Sequence, residues 1–182
     1  MAKRASALPV RIRTGRVGDL GWMFYRQAVV YAEEFGYSPV FERYVSHGLA
    51  PFLDDFDAGK DRIWMASRGA ERLGFIAIQH DPTRRGWAKL RWFLVEKEAR
   101  GLGVGRRLMQ AALAFARKAG YRGVYLWTVD DLAAARRVYV TSGFVLVHEA
   151  TEPCEWAPWG HEQRWELELA RRPRRARSPA KH

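Results

Sequence analysis

The chain has 182 residues, of which 48% are hydrophobic and 13% aromatic, so it can bury the core of one domain. Its single cysteine, Cys154, excludes an internal disulfide framework, and no apolar run reaches the ~20 residues that a membrane helix needs. The start MAKRASALP lacks the apolar centre of a signal peptide, so we expect a cytoplasmic protein with no membrane contact.

The formal net charge of +11 is concentrated at the ends of the chain. Residues 171–182 hold six Lys or Arg and no acid, and Lys3 and Arg4 add two more cations. Excluding these eight leaves 23 of the 31 Lys and Arg residues and 20 acidic residues, a net charge of +3. We predict a disordered N-terminus over 1–9 and a disordered basic tail over 171–182. The tail either solubilises the chain or contacts nucleic acid without sequence specificity.

The first half of the chain alternates strand and helix patterns. Apolar residues recur at every third or fourth position in the helices, and Gly69 lies in the turn of a hairpin. The predicted elements are a strand at 10–13, helices over 17–34 and 41–52, and hairpin strands at 62–67 and 72–79.

The second half contains the strand 87–95, a helix that starts near Val104 and ends at Gly120, and a helical pattern within 130–144. Further strands are predicted at 123–129, 145–150 and 163–169. This order predicts an α/β fold in one domain over 10–170, with a mixed central sheet of about seven strands and helices on both faces.

The segment Arg100–Gly105, RGLGVG, joins the strand 87–95 to the next helix. Its three glycines let the main chain approach a ligand, and the helix start offers unpaired N–H groups and the positive end of the dipole. We expect it to bind an anion such as a pyrophosphate. A nicotinamide-dependent oxidoreductase is the weaker alternative: the third glycine comes one residue early, although Asp130 can imitate a ribose-binding acid.

The positions of Arg100, Gly103 and Gly105 resemble motif A, [RQ]-x-x-G-x-[GA], of the GCN5-related N-acetyltransferases (GNAT). Residues 130–144 are similar to motif B of that family, which ends in an aliphatic residue, Tyr, Gly and Phe. The segments LRWFLVE, ARGLGVG, LWT, AARRVY, SGF and WELEL resemble the acetyltransferase half of proteins that fuse this domain to a MarR-type regulator. The chain is too short to contain such a regulator.

The resemblance implies a GNAT fold and an acetyl-CoA-dependent N-acetyltransferase that passes the acetyl group directly to a primary amine, with no metal. It implies that the main chain of Phe93, Leu94 and Val95 pairs with the pantetheine arm. The remaining predicted cofactor-binding residues surround the pyrophosphate and the adjoining phosphate: Arg100, Gly101, Leu102, Gly103, Val104, Gly105 and Arg106.

Tyr139 is the predicted general acid, because the tyrosine of this motif points its hydroxyl at the thioester sulfur in the family; plain packing on Phe144 is the alternative. Glu33 and Glu34 end the first helix, which borders the acceptor cleft in the family. They are predicted to act as general base or ammonium-binding groups. The alternative is that they only form a solvent-exposed helix end. The histidines lack metal-ligand spacing, so we expect no metal site.

The stretch 151–161, TEPCEWAPWGH, carries Trp156 and Trp159 between two predicted strands. Such a loop contacts the acceptor, forms a homodimer contact or packs on the domain. These residues leave four classes of amine acceptor open: a polyamine, an amino acid, an antibiotic, and a protein lysine or N-terminus. A different class of function stays open: a non-catalytic acyl-CoA-binding module whose basic tail binds nucleic acid or a protein partner.

Overall fold

The computed structural model describes residues 8–169. The predicted basic tail and most of the predicted N-terminal segment 1–9 lie outside this range. The elements are β1 (Arg11–Thr14), α1 (Asp19–Phe35), α2 (Val40–Ser46), α3 (Leu49–Asp54), β2 (Arg62–Arg68), β3 (Glu71–His80), β4 (Trp87–Val95), a 3-10 turn (Lys97–Ala99), α4 (Val104–Lys118), β5 (Gly123–Val129), α5 (Ala133–Thr141), β6 (Val145–Pro153) and β7 (His161–Glu168).

The strands form one seven-stranded sheet in the order β1-β2-β3-β4-β5-β7-β6. The pairing of β4 with β5 is parallel and the other neighbours are antiparallel, so the sheet is mixed. Helix α4 is the crossover between the two parallel strands, which such a connection requires. The predicted α/β architecture with about seven strands is confirmed.

Two apolar cores lie on opposite faces of the sheet. Along β3, Ile76 and Ile78 face the core that contains α4 and α5, whereas Phe75 and Ala77 face the core that contains α1, α2 and α3. Strands whose two faces are both covered read as continuous apolar runs, as β3 does. Helices therefore cover both faces, as predicted.

The predicted helix over 41–52 was wrong in one respect, because two short helices occupy this stretch. The chain turns at Gly48, whose N–H bonds to the carbonyl of Val45. A Cβ at Gly48 would clash with the guanidinium of Arg91, so a larger residue here would require that side chain to move. Pro51 lies in the first turn of α3, where its missing N–H costs no helical hydrogen bond.

Candidate functional site

Strands β4 and β5 separate in the middle of the sheet. Their pairing covers only Trp87–Lys89 of β4, so the main chain of Leu90–Val95 has no β5 partner on that edge. A bulge near Trp92, whose φ is 52°, bends β4 at this point. Free main-chain N–H and C=O groups need partners, and an extended ligand lying in the gap can supply them.

The amino end of α4 faces the same gap. Gly101 and Gly103 adopt φ values of 77° and 74°, which glycine tolerates and other residues rarely do. These turns expose the first N–H groups of a 15-residue helix, where the dipole favours an anion. A Cβ at either glycine would meet no protein atom within 4 Å, so the loop borders open space.

A groove of about 740 Å³, here called the main groove, runs between this loop, the end of β4 and helix α5. Of the predicted cofactor-binding residues, all but Leu102 line it. Leu102 is 57% exposed and does not line the groove. The residues that line it are Phe93, Leu94, Val95, Arg100, Gly101, Gly103, Val104, Gly105 and Arg106.

The third glycine of the loop, Gly105, has a different role from the first two. A Cβ there would lie 3.2 Å from the ring of Phe93 and 3.5 Å from Val95. Glycine at this position therefore lets α4 approach β4 closely. The close approach of α4 to β4 accounts for Gly105, whereas Gly103 lies at the open surface of the groove.

A smaller cavity of about 90 Å³, here called the side cavity, adjoins the main groove. Tyr31, Phe93 and Leu132 line both spaces, which places the two next to each other. The wall of the side cavity is mostly aromatic. Its rings include Tyr31, Tyr37, Phe41, Tyr44, Trp92, Trp127 and Trp156.

Three charged side chains also line the side cavity: Lys89 and Arg91 of β4 and Glu162 of β7. Burial lowers the pKa of Lys89 to about 8 and raises the pKa of the Glu162 carboxyl. Sequence reasoning missed all three. Two cations two residues apart on an otherwise apolar strand were a usable signal, whereas Glu162 reaches this place only because β7 pairs with β5.

Tyr139 lies on α5, beside Phe93, one of the residues that line both spaces. It is 4% exposed and lines the side cavity, and its ring centroid is 6.0 Å from that of Phe93. Burial raises the pKa of its hydroxyl, which keeps the group protonated at neutral pH. The hydroxyl can therefore act as a proton donor. Its ring also packs on Phe144, with 6.0 Å between centroids, as the alternative interpretation expected.

The two predicted acids of the first helix lie apart from the side cavity. Glu34 accepts two hydrogen bonds from the Arg100 guanidinium, one at 3.0 Å, and Glu33 is exposed. Neither lines the side cavity. Arg100 also donates to the carbonyl of Val95 at 3.1 Å, so the ion pair ties α1 to the loop before α4. The roles predicted for Glu33 and Glu34 stay predictions.

The two tryptophans of the predicted aromatic loop lie in different surroundings. Trp156 stacks on Tyr44, with 4.2 Å between ring centroids, and lines the side cavity. Trp159 is 88% exposed. The connection itself is shorter than predicted, because β6 continues to Pro153. Trp156 thus forms part of the cavity wall, and Trp159 contributes nothing to it.

Within residues 8–169, no group of three or more His, Cys, Asp or Glu is arranged to hold a metal ion. No helix in this range is both long enough and apolar enough to cross a membrane.

Sequence comparison gives a family match over residues 25–144, to the model described as "Acetyltransferase (GNAT) family". An uncharacterized N-acetyltransferase of Schizosaccharomyces pombe is 29% identical over 124 residues, which cover 68% of this chain and 72% of that protein. The N-acetyltransferase 8F1 of Rattus norvegicus is 31% identical over 84 residues, which cover 44% of this chain and 38% of that protein. The chain therefore spans about two fifths of the length of this rat relative.

Solved structures share the fold at low sequence identity. An acetyltransferase of the GNAT family from Staphylococcus aureus matches with a TM-score of 0.69 and 17% identity, covering 89% of this chain and 100% of that one. The structure of yncA from Salmonella typhimurium, with its cofactor acetyl-CoA, matches with a TM-score of 0.65 and 16% identity, covering 88% and 94%.

Proposed function

Because the chain belongs to the acetyltransferase (GNAT) family, we propose that it transfers the acetyl group of acetyl-CoA directly to a primary amine. The observation that carries the proposal is the junction of the two spaces at Phe93, beside which Tyr139 lies. The main groove fits an extended, phosphate-bearing ligand, and the side cavity opens where the reacting end of that ligand would lie. An acceptor in the side cavity would then meet the thioester.

The main groove supports a specific placement of acetyl-CoA. The pyrophosphate would bind the N–H groups around Gly101 and Gly103, at the positive end of α4. The pantetheine arm would lie along the unpaired edge of β4 and bond to main-chain groups of Phe93–Val95. Arg106 lines the same groove and can pair with a phosphate.

The chemistry requires two proton transfers. The neutral amine nitrogen attacks the thioester carbonyl carbon, an N–C bond forms, and the C–S bond breaks as the tetrahedral intermediate collapses. The proton of the amine passes to a base, and the departing thiolate takes a proton from an acid. We propose Tyr139 as the acid and Glu162 as the base, since both line the side cavity. The products are an acetylated amine and free CoA.

Turnover with a panel of primary amines tests the proposed reaction. Release of the CoA thiol, followed with a thiol reagent, should depend on both acetyl-CoA and an amine. A protein that binds acetyl-CoA by calorimetry but acetylates none of the amines would instead be the non-catalytic acyl-CoA-binding module. Protection from heat denaturation by NAD(P)H and not by acetyl-CoA would favour the oxidoreductase.

The pyrophosphate loop gives a prediction with a matched control. Gly103→Ala should lower the affinity for acetyl-CoA by about tenfold or more, because a Cβ on the open side of the loop obstructs the phosphates. Calorimetric titration with acetyl-CoA measures the effect. Gly120→Ala is the control: Gly120 lies just beyond the other end of α4, also has a positive φ of 82°, and also faces open space.

Both variants carry the same kind of backbone strain, so their melting temperatures should fall to a similar extent. Only Gly103→Ala should lose affinity for acetyl-CoA. Equal affinities of the two folded variants for acetyl-CoA would refute the proposal that this loop binds the phosphates.

Several finer expectations from the sequence stay proposals. They are the cytoplasmic location, a homodimer, contact of the basic tail with nucleic acid, and the likeness to the acetyltransferase half of MarR-fused proteins. The tail lies outside the described residues.

A further inference from the structure

The side cavity presents two cations on one face of β4. Lys89 and Arg91 are two residues apart on this strand, so their side chains leave the same face of the sheet. Arg91 donates to the side-chain oxygen of Gln79 at 2.9 Å and packs against Gly48. Within residues 8–169, no carboxylate oxygen lies within 4.0 Å of either cation.

Two half-buried cations side by side, without a carboxylate partner, are unfavourable. Each has lost part of its hydration, and each repels the other across the strand. Burial, together with the same repulsion, lowers the pKa of Lys89 to about 8. An anionic group bound between the two side chains would relieve both costs. A polycation such as a polyamine would be repelled.

Among residues 8–169, Glu162 is the one acidic side chain that lines the cavity. It lies on β7, next to Val129 at the carboxyl end of β5, whereas Lys89 pairs with Tyr125 nearer its amino end. The negative group and the positive pair thus lie at different positions in the cavity, more than 4.0 Å apart, although Lys89 and Glu162 still attract each other. A molecule with an amine at one position and a carboxylate at another matches this arrangement.

The remaining wall suits a flat apolar group. Tyr44 and Trp156 stack on each other, and the Arg91 guanidinium lies 4.8 Å from the centroid of Trp92. The indole N–H of Trp156 is buried and has no hydrogen-bond partner among residues 8–169. The space of about 90 Å³ holds roughly six to nine water-sized groups, so an aromatic amino acid bound here would extend toward the adjoining main groove.

We infer that the acceptor is a small aromatic amino carboxylate. Its carboxylate would bind Lys89 and Arg91, its amine would lie near Glu162, and its ring would pack on the aromatic wall that includes Trp156. This inference rests on the proposed acetyl transfer and narrows it to one class of substrate. The acetyl group would form an amide with the amine of that acid, with release of CoA.

Kinetics with L-phenylalanine and phenethylamine test the inference, because the two differ only by the carboxylate. The value of kcat/KM for L-phenylalanine should exceed that for phenethylamine by at least about tenfold, the effect expected of one charge-assisted contact. Spermidine should be the poorest substrate. Equal use of the two aromatic amines, or preference for spermidine, would overturn the inference and leave the acetyltransferase proposal intact.

Substitutions of the two cations test where the carboxylate of the acceptor binds. Arg91→Met and Lys89→Met should each reduce the preference for L-phenylalanine over phenethylamine to within about threefold, since each removes one partner of the carboxylate. Arg85→Met, an exposed position outside both spaces, is the control and should keep the wild-type preference. A preference that survives both cavity substitutions would place the carboxylate elsewhere.

Calorimetry separates failure of the inference from failure of the reaction. If no amine of the panel is acetylated, spermidine included, the transferase proposal fails, and binding of L-phenylalanine and phenethylamine to the CoA-saturated protein tests the side cavity separately. Tighter binding of L-phenylalanine than of phenethylamine keeps the side cavity as an amino-carboxylate site. Equal or absent binding refutes it.

Discussion

Replacement of Tyr139 by Phe should lower kcat by about 100-fold or more and leave the affinity for acetyl-CoA unchanged. The substitution keeps the buried ring and removes only the hydroxyl, which is the proposed proton donor to the leaving thiolate. A positioned acid contributes on the order of 10²-fold or more to a rate. The measurements are kcat at saturating amine and calorimetric titration with acetyl-CoA.

Tyr121→Phe is the matched control, because its hydroxyl donates to the carbonyl of Lys60 and lines neither space. It should keep full activity. A packing role for Tyr139 gives the reverse pattern: an active Phe variant and an Ala variant destabilised by about 3 kcal/mol, the cost of truncating a buried aromatic residue. Melting temperatures for the three variants complete the comparison, and a fully active Tyr139→Phe would end the catalytic assignment.

The elements around the main groove were predictable because their signals are local. The limits of β4 and β5 agree with the sequence prediction, and α4 begins at the predicted Val104. In all three elements the apolar residues recur with a clear period and a glycine marks a boundary. None of these signals depends on distant contacts. The glycine-rich loop from Arg100 to Gly105, the proposed phosphate site, could be predicted for the same reason, since such a site needs only glycines before a helix.

The side cavity could not be predicted, because it depends on contacts between distant segments. Glu162 and Lys89 line the same cavity only because β7 lies beside β5 and because β4 and β5 separate. The contact of Arg91 with Gly48 likewise joins residues more than 40 positions apart in sequence. Glu34 illustrates the same limit: its position at the end of α1 was predicted, but its ion pair with Arg100 was not. Local patterns predict elements, whereas the partners of charged side chains follow from the tertiary arrangement.

Substitution of Glu162 tests its proposed role as the general base. Glu162→Gln should lower kcat by about 100-fold, because an amide of the same shape cannot accept the proton of the attacking amine. Glu168→Gln, on the same strand and outside both spaces, is the control and should retain activity. Glu34→Gln, assayed at saturating acetyl-CoA, tests the acid predicted from the sequence. Loss of turnover in that variant alone would assign the role of base to Glu34, at the end of α1.

The pH dependence of kcat provides an independent check on Glu162. Burial raises the pKa of this carboxyl, and only its ionised form can accept a proton. Activity should therefore be present above the raised pKa and fall as the pH drops through it, at a higher pH than an exposed glutamate would give. In Glu162→Gln the acidic limb due to this group should disappear, and the residual rate should follow the ionisation of the amine alone. An unchanged acidic limb in the variant would assign the titration, and with it the base, to another residue.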